Sequence, residues 1–126
     1  MTREEIKAMK PGRELDMLVA ENVMGLSVIV ERRPDGITWV KEDGREPYVL
    51  PSYSTDISAA WEVVKRLREE YGLRLHLELQ NHSGCYIWLE NDIGGNVTGC
   101  YEFESEIEGI CKIALLAVMD EEDTHD

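Results

Sequence analysis

Basic residues are scarce in this 126-residue sequence: 13 Lys and Arg stand against 26 Asp and Glu, for a formal net charge of −13. Non-specific binding to nucleic acid draws its affinity from Lys and Arg that neutralise phosphates. The chain contains no basic run, so direct binding to DNA or RNA is not expected. Cysteine is sparse as well. Cys85, Cys100 and Cys111 are odd in number and widely spaced; they form no disulfide framework and suit a reducing compartment. Long apolar runs are missing, and none approaches the roughly 20 residues of a membrane span. The first residues, Met1 to Glu5, carry charge and no apolar signal core. A cytoplasmic protein without membrane contact is the expectation.

What is present is an ordinary globular composition, 43% hydrophobic and 31% charged. The length suits one domain, expected over residues 1–119, with a core that needs no metal or disulfide. Five acidic residues, Asp120, Glu121, Glu122, Asp123 and Asp126, crowd the end. Residues 120–126 are expected to be a solvated, disordered tail.

Hydrophobic periodicity divides the domain. Thr2 and Glu5 have capping-box spacing, and Pro11-Gly12 follows. Leu15, Leu18, Val19 and Val23 form one helical stripe that Gly25 ends. Leu26 to Val30 and Ile37 to Val40 read as strands about a Pro34-Asp35-Gly36 turn, and Tyr48-Val49-Leu50 is at most a short extended piece. Ser54, Thr55 and Asp56 offer N-caps to a second helix, in which Ile57, Ala60, Trp61, Val64, Leu67 and Tyr71 make the apolar stripe. Leu73, Leu75, Leu77 and Leu79 alternate with polar residues along a half-buried strand. Strands at Cys85 to Glu90 and Val97 to Glu102 follow. Ser105 and Glu108 then open a last helix, in which only Lys112 is polar from Ile110 to Met119. The order α-β-β-α-β-β-β-α, with hairpin-length connections, gives an α+β fold with a mostly antiparallel sheet. A helix apolar almost all round needs cover on more than one side. The sheet supplies one side, and a second copy of the chain is expected on the other, as a homo-oligomer, most simply a two-fold dimer through residues 105–119.

Three stretches carry a resemblance: Pro11-Gly12-Arg13-Glu14-Leu15-Asp16 through Met24-Gly25; Pro51-Ser52-Tyr53-Ser54-Thr55-Asp56-Ile57-Ser58-Ala59-Ala60-Trp61; and Ile110-Cys111-Lys112-Ile113-Ala114-Leu115-Leu116-Ala117. In this order they resemble the phage ABA-sandwich domain family, small proteins of phages and prophages of Bacillus-like bacteria. The resemblance implies an α/β/α layered sandwich and a phage origin. It brings no catalytic residues and no cofactor.

Chemical constellations are few. Tyr53, Ser54, Thr55 and Asp56 stand at the mouth of the second helix, where free N–H groups can hold an anion; capping alone explains the same residues. His76, His82, Cys85 and Cys100 do not form the paired ligands of a structural zinc site, and no metal is expected. Gly94-Gly95 and Gly99 open no helix, so a hairpin turn explains them better than a phosphate loop. Asp56 and Glu78 as an acid–base pair carry no weight among 26 carboxylates. In the hairpin from Leu73 to Glu90, pairing Gln80 with Cys85 sets Leu77 against Trp88 and Leu79 against Tyr86, with both aromatics in the core. A one-residue slip sets the aromatics beside His76 and Glu78 instead, as a platform suited to a nucleobase. Burial of all apolar groups on one face favours the first register.

Three functions compete. The first is a non-enzymatic binder that sequesters a nucleotide-derived bacterial immune signal, with Arg13, Tyr53, Ser54, Thr55, Asp56, Trp61 and Arg66 as pocket candidates. The second is an acidic protein that occupies a basic, nucleic-acid-binding host protein, motivated by the net charge. The third, a small hydrolase, lacks both clustered carboxylates and a basic groove.

Overall fold

The last helix of the chain is the one most deeply enclosed by the others. The computed structural model describes residues 2–29, 37–80 and 84–123. Its elements are α1 (Arg3–Ala8), α2 (Arg13–Asn22), β1 (Ser27–Ile29), β2 (Trp39–Lys41), β3 (Tyr48–Val49), α3 (Ile57–Tyr71), β4 (Arg74–Leu79), β5 (Cys85–Glu90), β6 (Tyr101–Phe103) and α4 (Glu106–Asp123). The strands form two sheets, β1-β2-β3 and β4-β5-β6, and every pairing is antiparallel. The α+β class and the antiparallel pairing match the sequence reading. The order does not: Tyr48–Val49 is a third strand, paired with Val40 and Trp39, and the first turn is a six-residue helix capped by Thr2. A two-residue strand carries no periodicity of its own, so only its pairing reveals it. The turn read at Pro34-Asp35-Gly36 and residues 81–83 of the later turn lie outside the described residues.

Ser105 accepts a hydrogen bond from the Glu108 N–H at 3.1 Å and so caps the start of α4. Ile110, Cys111, Ile113, Ala114, Leu115 and Leu116 are all buried within one chain. Their cover comes from α1, α2, α3, β5 and β6. The face reserved for a second subunit is therefore interior, and the expected dimer through this helix does not follow. The helix is covered on several sides, as its apolar pattern requires, by the chain's own helices and second sheet. The backbone of α4 continues to Asp123, beyond the expected domain boundary at 119, and residues 124–126 lie outside the described part.

Lys112 explains how one charge survives on this helix. It is buried, and its ammonium donates to the Lys7 carbonyl at 2.7 Å and to the Glu108 carboxylate one turn back. The Lys7 carbonyl lies in the last turn of α1, where a helix favours positive charge. Lys112 thus ties α1 to the central helix. At Gly109, α4 approaches the second sheet closely: a Cβ there would lie 2.5 Å from Ile87 Cδ1 and 2.9 Å from Phe103 Cδ2.

Candidate functional site

The entry to α3 is fixed by a polar tie rather than left open for a ligand. The Gly12 N–H donates to Ser54 Oγ at 2.8 Å, and the Ser54 N–H donates to Asp16 Oδ1 at 2.7 Å. Both Asp16 and Ser54 are buried. Burial pushes the Asp16 carboxyl above its ordinary value, and the hydrogen bonds from Ser54 oppose that. Asp56 caps α3, accepting from the Ser58 N–H at 3.0 Å. Two of the expected ligand contacts, Ser54 and Asp56, are therefore committed to the fold. Helix α3 ends at Gly72, whose φ of 65° is left-handed.

The apolar stripe of α3 is displaced from the expected one. Ala60, Val63 and Leu67 are buried, whereas Ile57 and Trp61 are about half exposed. Trp61 is 54% exposed and is no core residue. Trp61 and Val64 were read as one stripe by their three-residue spacing; Val63, between them, takes the core position.

Beyond the entry, α3 forms one wall of a cavity of about 580 Å³, within the usual range of roughly 300–1,000 Å³ for small-molecule sites. Met24 and Leu26 supply an apolar base, Tyr48 and Tyr53 the aromatic surface, and Arg45 and Arg66 the positive charge, with Glu42, Glu46 and Glu62 around them. The Arg45 guanidinium lies over the Tyr48 ring, 5.9 Å from its centroid, and pairs with Glu42 at 3.2 Å. Arg66 is anchored by Nε, which donates to the Val23 carbonyl at 3.2 Å, while Nη1 lies 3.6 Å from Glu70. Tyr71 donates to the same Val23 carbonyl at 3.1 Å. The end of α2 thereby orients Arg66. Burial, followed by the neighbouring Tyr48, holds the Tyr53 hydroxyl far above its ordinary range, so it remains a neutral hydrogen-bonding group at physiological pH.

Of the seven residues expected at the site, Tyr53 and Arg66 line this cavity. Arg13 and Thr55 line a separate hollow with Asp16, Ile37 and Val49. Trp61 lines neither. Arg45, Tyr48, Glu42 and Glu62 line the cavity without having been among the expected residues. Arg45 to Tyr48 falls in a Gly- and Pro-punctuated stretch leading into β3, with no periodicity to read, and Glu62 lies off the apolar stripe of α3.

The second sheet carries a different surface. Leu79 pairs with Cys85, Leu77 with Ile87, Glu78 with Tyr86 and His76 with Trp88. This is the slipped register, not the favoured one. The Gln80 N–H donates to the Gly84 carbonyl at 3.2 Å, closing the hairpin one residue sooner than the expected pairing. Cys85, Ile87 and Leu89 fill the core, and Tyr86 and Trp88 remain half-buried on the other face. The close approach of α4 at Gly109 leaves space there for aliphatic groups and none for an indole. His76 stacks on Trp88 at 5.3 Å with 7° between the rings. Glu90 accepts from Trp88 Nε1 at 3.2 Å and lies 3.1 Å from His76 Nε2. That second contact falls outside hydrogen-bond geometry and acts as an ion pair only when the imidazole is protonated.

Catalytic chemistry has little support in this arrangement. Burial raises the Cys85 and Cys111 thiols above their ordinary value, which suppresses the nucleophilic thiolate. Among the described residues no three His, Cys, Asp or Glu gather as metal ligands, and no helix is long and apolar enough to cross a membrane. His82 lies outside the described residues.

Comparison with known proteins places the fold. None of the curated proteins matches the chain. A solved structure, a phage protein from Bacillus cereus ATCC 14579, is similar over 88% of this chain and 94% of its own, with 28% identity and a TM-score of 0.63. The family model of the phage ABA sandwich domain matches residues 17–115. This span includes the Tyr53 to Trp61 stretch and most of α4, and the chain belongs to the phage ABA sandwich domain family.

Proposed function

We propose that this protein is a non-enzymatic binder that takes up a nucleotide-derived immune signal of the bacterial host, in the host cytoplasm, and so protects the phage. The observation that carries the reading is the cavity between α3 and the loop before β3, where an aromatic wall, two guanidinium groups and three carboxylates converge. A nucleotide presents the complementary set. Its base stacks on an aromatic face, as on Tyr48. Its phosphate pairs with guanidinium groups such as Arg45 and Arg66. Its ribose hydroxyls donate to carboxylates such as Glu62. The phage family fits a protein that acts against host defence.

The net charge of −13 opposes the approach of an anion at long range, and salt screens that repulsion within about 8 Å at physiological ionic strength. Affinity then rests on the two arginines at short range. The test is depletion: the protein is incubated with a panel of linear and cyclic signalling nucleotides, and the free concentration is measured after ultrafiltration. One member should fall in proportion to added protein and return unaltered when the protein is heat-denatured. No depletion across the panel would overturn binding, and recovery of a cleaved product would overturn the non-enzymatic reading.

A further inference from the structure

Among the described residues, strand β4 is an edge of its sheet, paired with β5 on one side. Its outer residues are not covered as core strands are: Leu77 is 37% exposed and Leu79 is 64% exposed. A six-residue edge strand with exposed leucines is a template for pairing with another strand. The sequence of this edge identifies what fits it. Leu73-Arg74-Leu75-His76-Leu77-Glu78-Leu79 is symmetric about His76: leucine at every odd position, and Arg74 and Glu78 two steps away on either side. Read against itself in the opposite direction, every leucine meets a leucine and every Arg meets a Glu.

We infer that two copies of this chain join along their β4 edges, antiparallel about a two-fold axis at His76, into one continuous six-stranded sheet. The backbone permits this register. Gln80 and Gly84 form a hydrogen-bonded pair across the hairpin. Bonded pairs alternate along an antiparallel ladder, so residues 74, 76 and 78 turn their backbone groups to β5. Residues 75, 77 and 79 turn theirs outward. Pairing two outward sets requires odd residues opposite odd residues, which the His76-centred register satisfies with Leu75 opposite the second copy's Leu77. Arg74 and the second copy's Glu78 then stand at a non-bonded position, where facing side chains are closest. Shifting by two residues in one direction sets Arg74 opposite His76. Shifting two in the other direction leaves Arg74 opposite Gln80, and four brings Glu78 against Glu78. Only the central register pairs both Arg–Glu sets. The Arg74 guanidinium is engaged only by a long hydrogen bond to the Asn91 carbonyl, at 3.4 Å, among the described residues.

A foreign strand would use the same backbone groups but has no reason to match this charge order, whereas a second copy matches it by symmetry. The joined sheet would bring the two His76–Trp88 stacks side by side on one face. The site proposed between α3 and the loop before β3 is not involved, so the two readings stand or fall separately.

Sedimentation equilibrium on the whole chain tests the inference, with Arg74→Glu, Glu78→Arg and the two combined. The wild type should sediment at twice the 14.4 kDa chain mass. Each single reversal places like charges opposite each other and should give monomer, while the combined swap restores the pairing and the dimer. A wild-type monomer at micromolar concentration overturns the inference. So do single variants that stay dimeric, or a combined variant that stays monomeric although folded. Amide exchange on the wild type supplies a measurement independent of variant folding: the Leu75 and Leu77 amides should exchange slowly, and rapid exchange of both contradicts an occupied edge.

Discussion

The two sheets are built alike and packed differently. Each has three antiparallel strands. In the first they are three, three and two residues long, and the connections around them line a cavity. In the second they are six, six and three residues long, and one face is pressed against α4 so closely that Gly109 has no room for a methyl group. A ligand site needs space that close packing removes. The difference sets a closely packed region around the second sheet and α4 against a hollow left by short strands and a loop, where the proposed binding groups stand.

Variants can break or sharpen this contrast. The largest effect is expected at Lys112→Ala, which leaves the Glu108 carboxylate and the Lys7 carbonyl without their buried partner. Breaking such a pair costs about 3–5 kcal/mol, and chemical denaturation should show it. A loss under about 1 kcal/mol would mean that α1 is not tied down by this contact. Next comes Gly109→Ala. In an open helix the change would stabilise by roughly 1 kcal/mol. Against Ile87 and Phe103 it should instead destabilise by about 1–3 kcal/mol through overpacking. A stabilised variant would show the second sheet to be as loosely packed as the first.

A smaller, pH-dependent effect is expected at the tie between α2 and α3. The Asp16 carboxyl has a folded pKa above its ordinary value of 3.8 because burial penalises its charge. A raised folded pKa means that its contribution is complete below 3.8 and declines as pH rises through the folded value. Asp16→Asn keeps an acceptor for the Ser54 N–H without the charge. The variant should therefore gain stability relative to wild type as pH increases across that window; melting curves at several pH values measure the gap, and a gap moving the other way would contradict the cause given. The smallest effect belongs to Trp61→Ala. With the indole 54% exposed, unfolding free energy should change by no more than about 0.5–1 kcal/mol, a test of whether α3 buries the face centred on Val63.

Much of the fold was legible where periodicity was long. Helix α3, strand β5 and the Ser105 cap stood in the sequence at their observed positions, because fifteen helical residues or six strand residues suffice to show a pattern. Strand β3 and the hairpin register were not legible. The register depends on where the hairpin closes, and a single residue there sends every side chain to the opposite face. The apolar run of α4 announced burial but not its cover, since a second subunit and the chain's own helices and second sheet satisfy the same pattern. Of the residues expected at a pocket, Tyr53, which precedes α3, and Arg66, within it, line the cavity. Arg45 and Tyr48 were not among those expected, since only the folded loop brings them opposite α3.

The most direct test of the account is to locate binding on one sheet or the other, by titration calorimetry with whichever nucleotide the depletion panel identifies. Arg45→Glu reverses a charge in the cavity beside the first sheet, and Trp88→Ala removes the aromatic stack on the second. The account predicts that Arg45→Glu weakens binding at least about 100-fold, in line with a lost charge-assisted contact of roughly 3 kcal/mol, while Trp88→Ala leaves the Kd unchanged. Binding that survives Arg45→Glu and disappears with Trp88→Ala would contradict it and move the site to the His76–Trp88 stack.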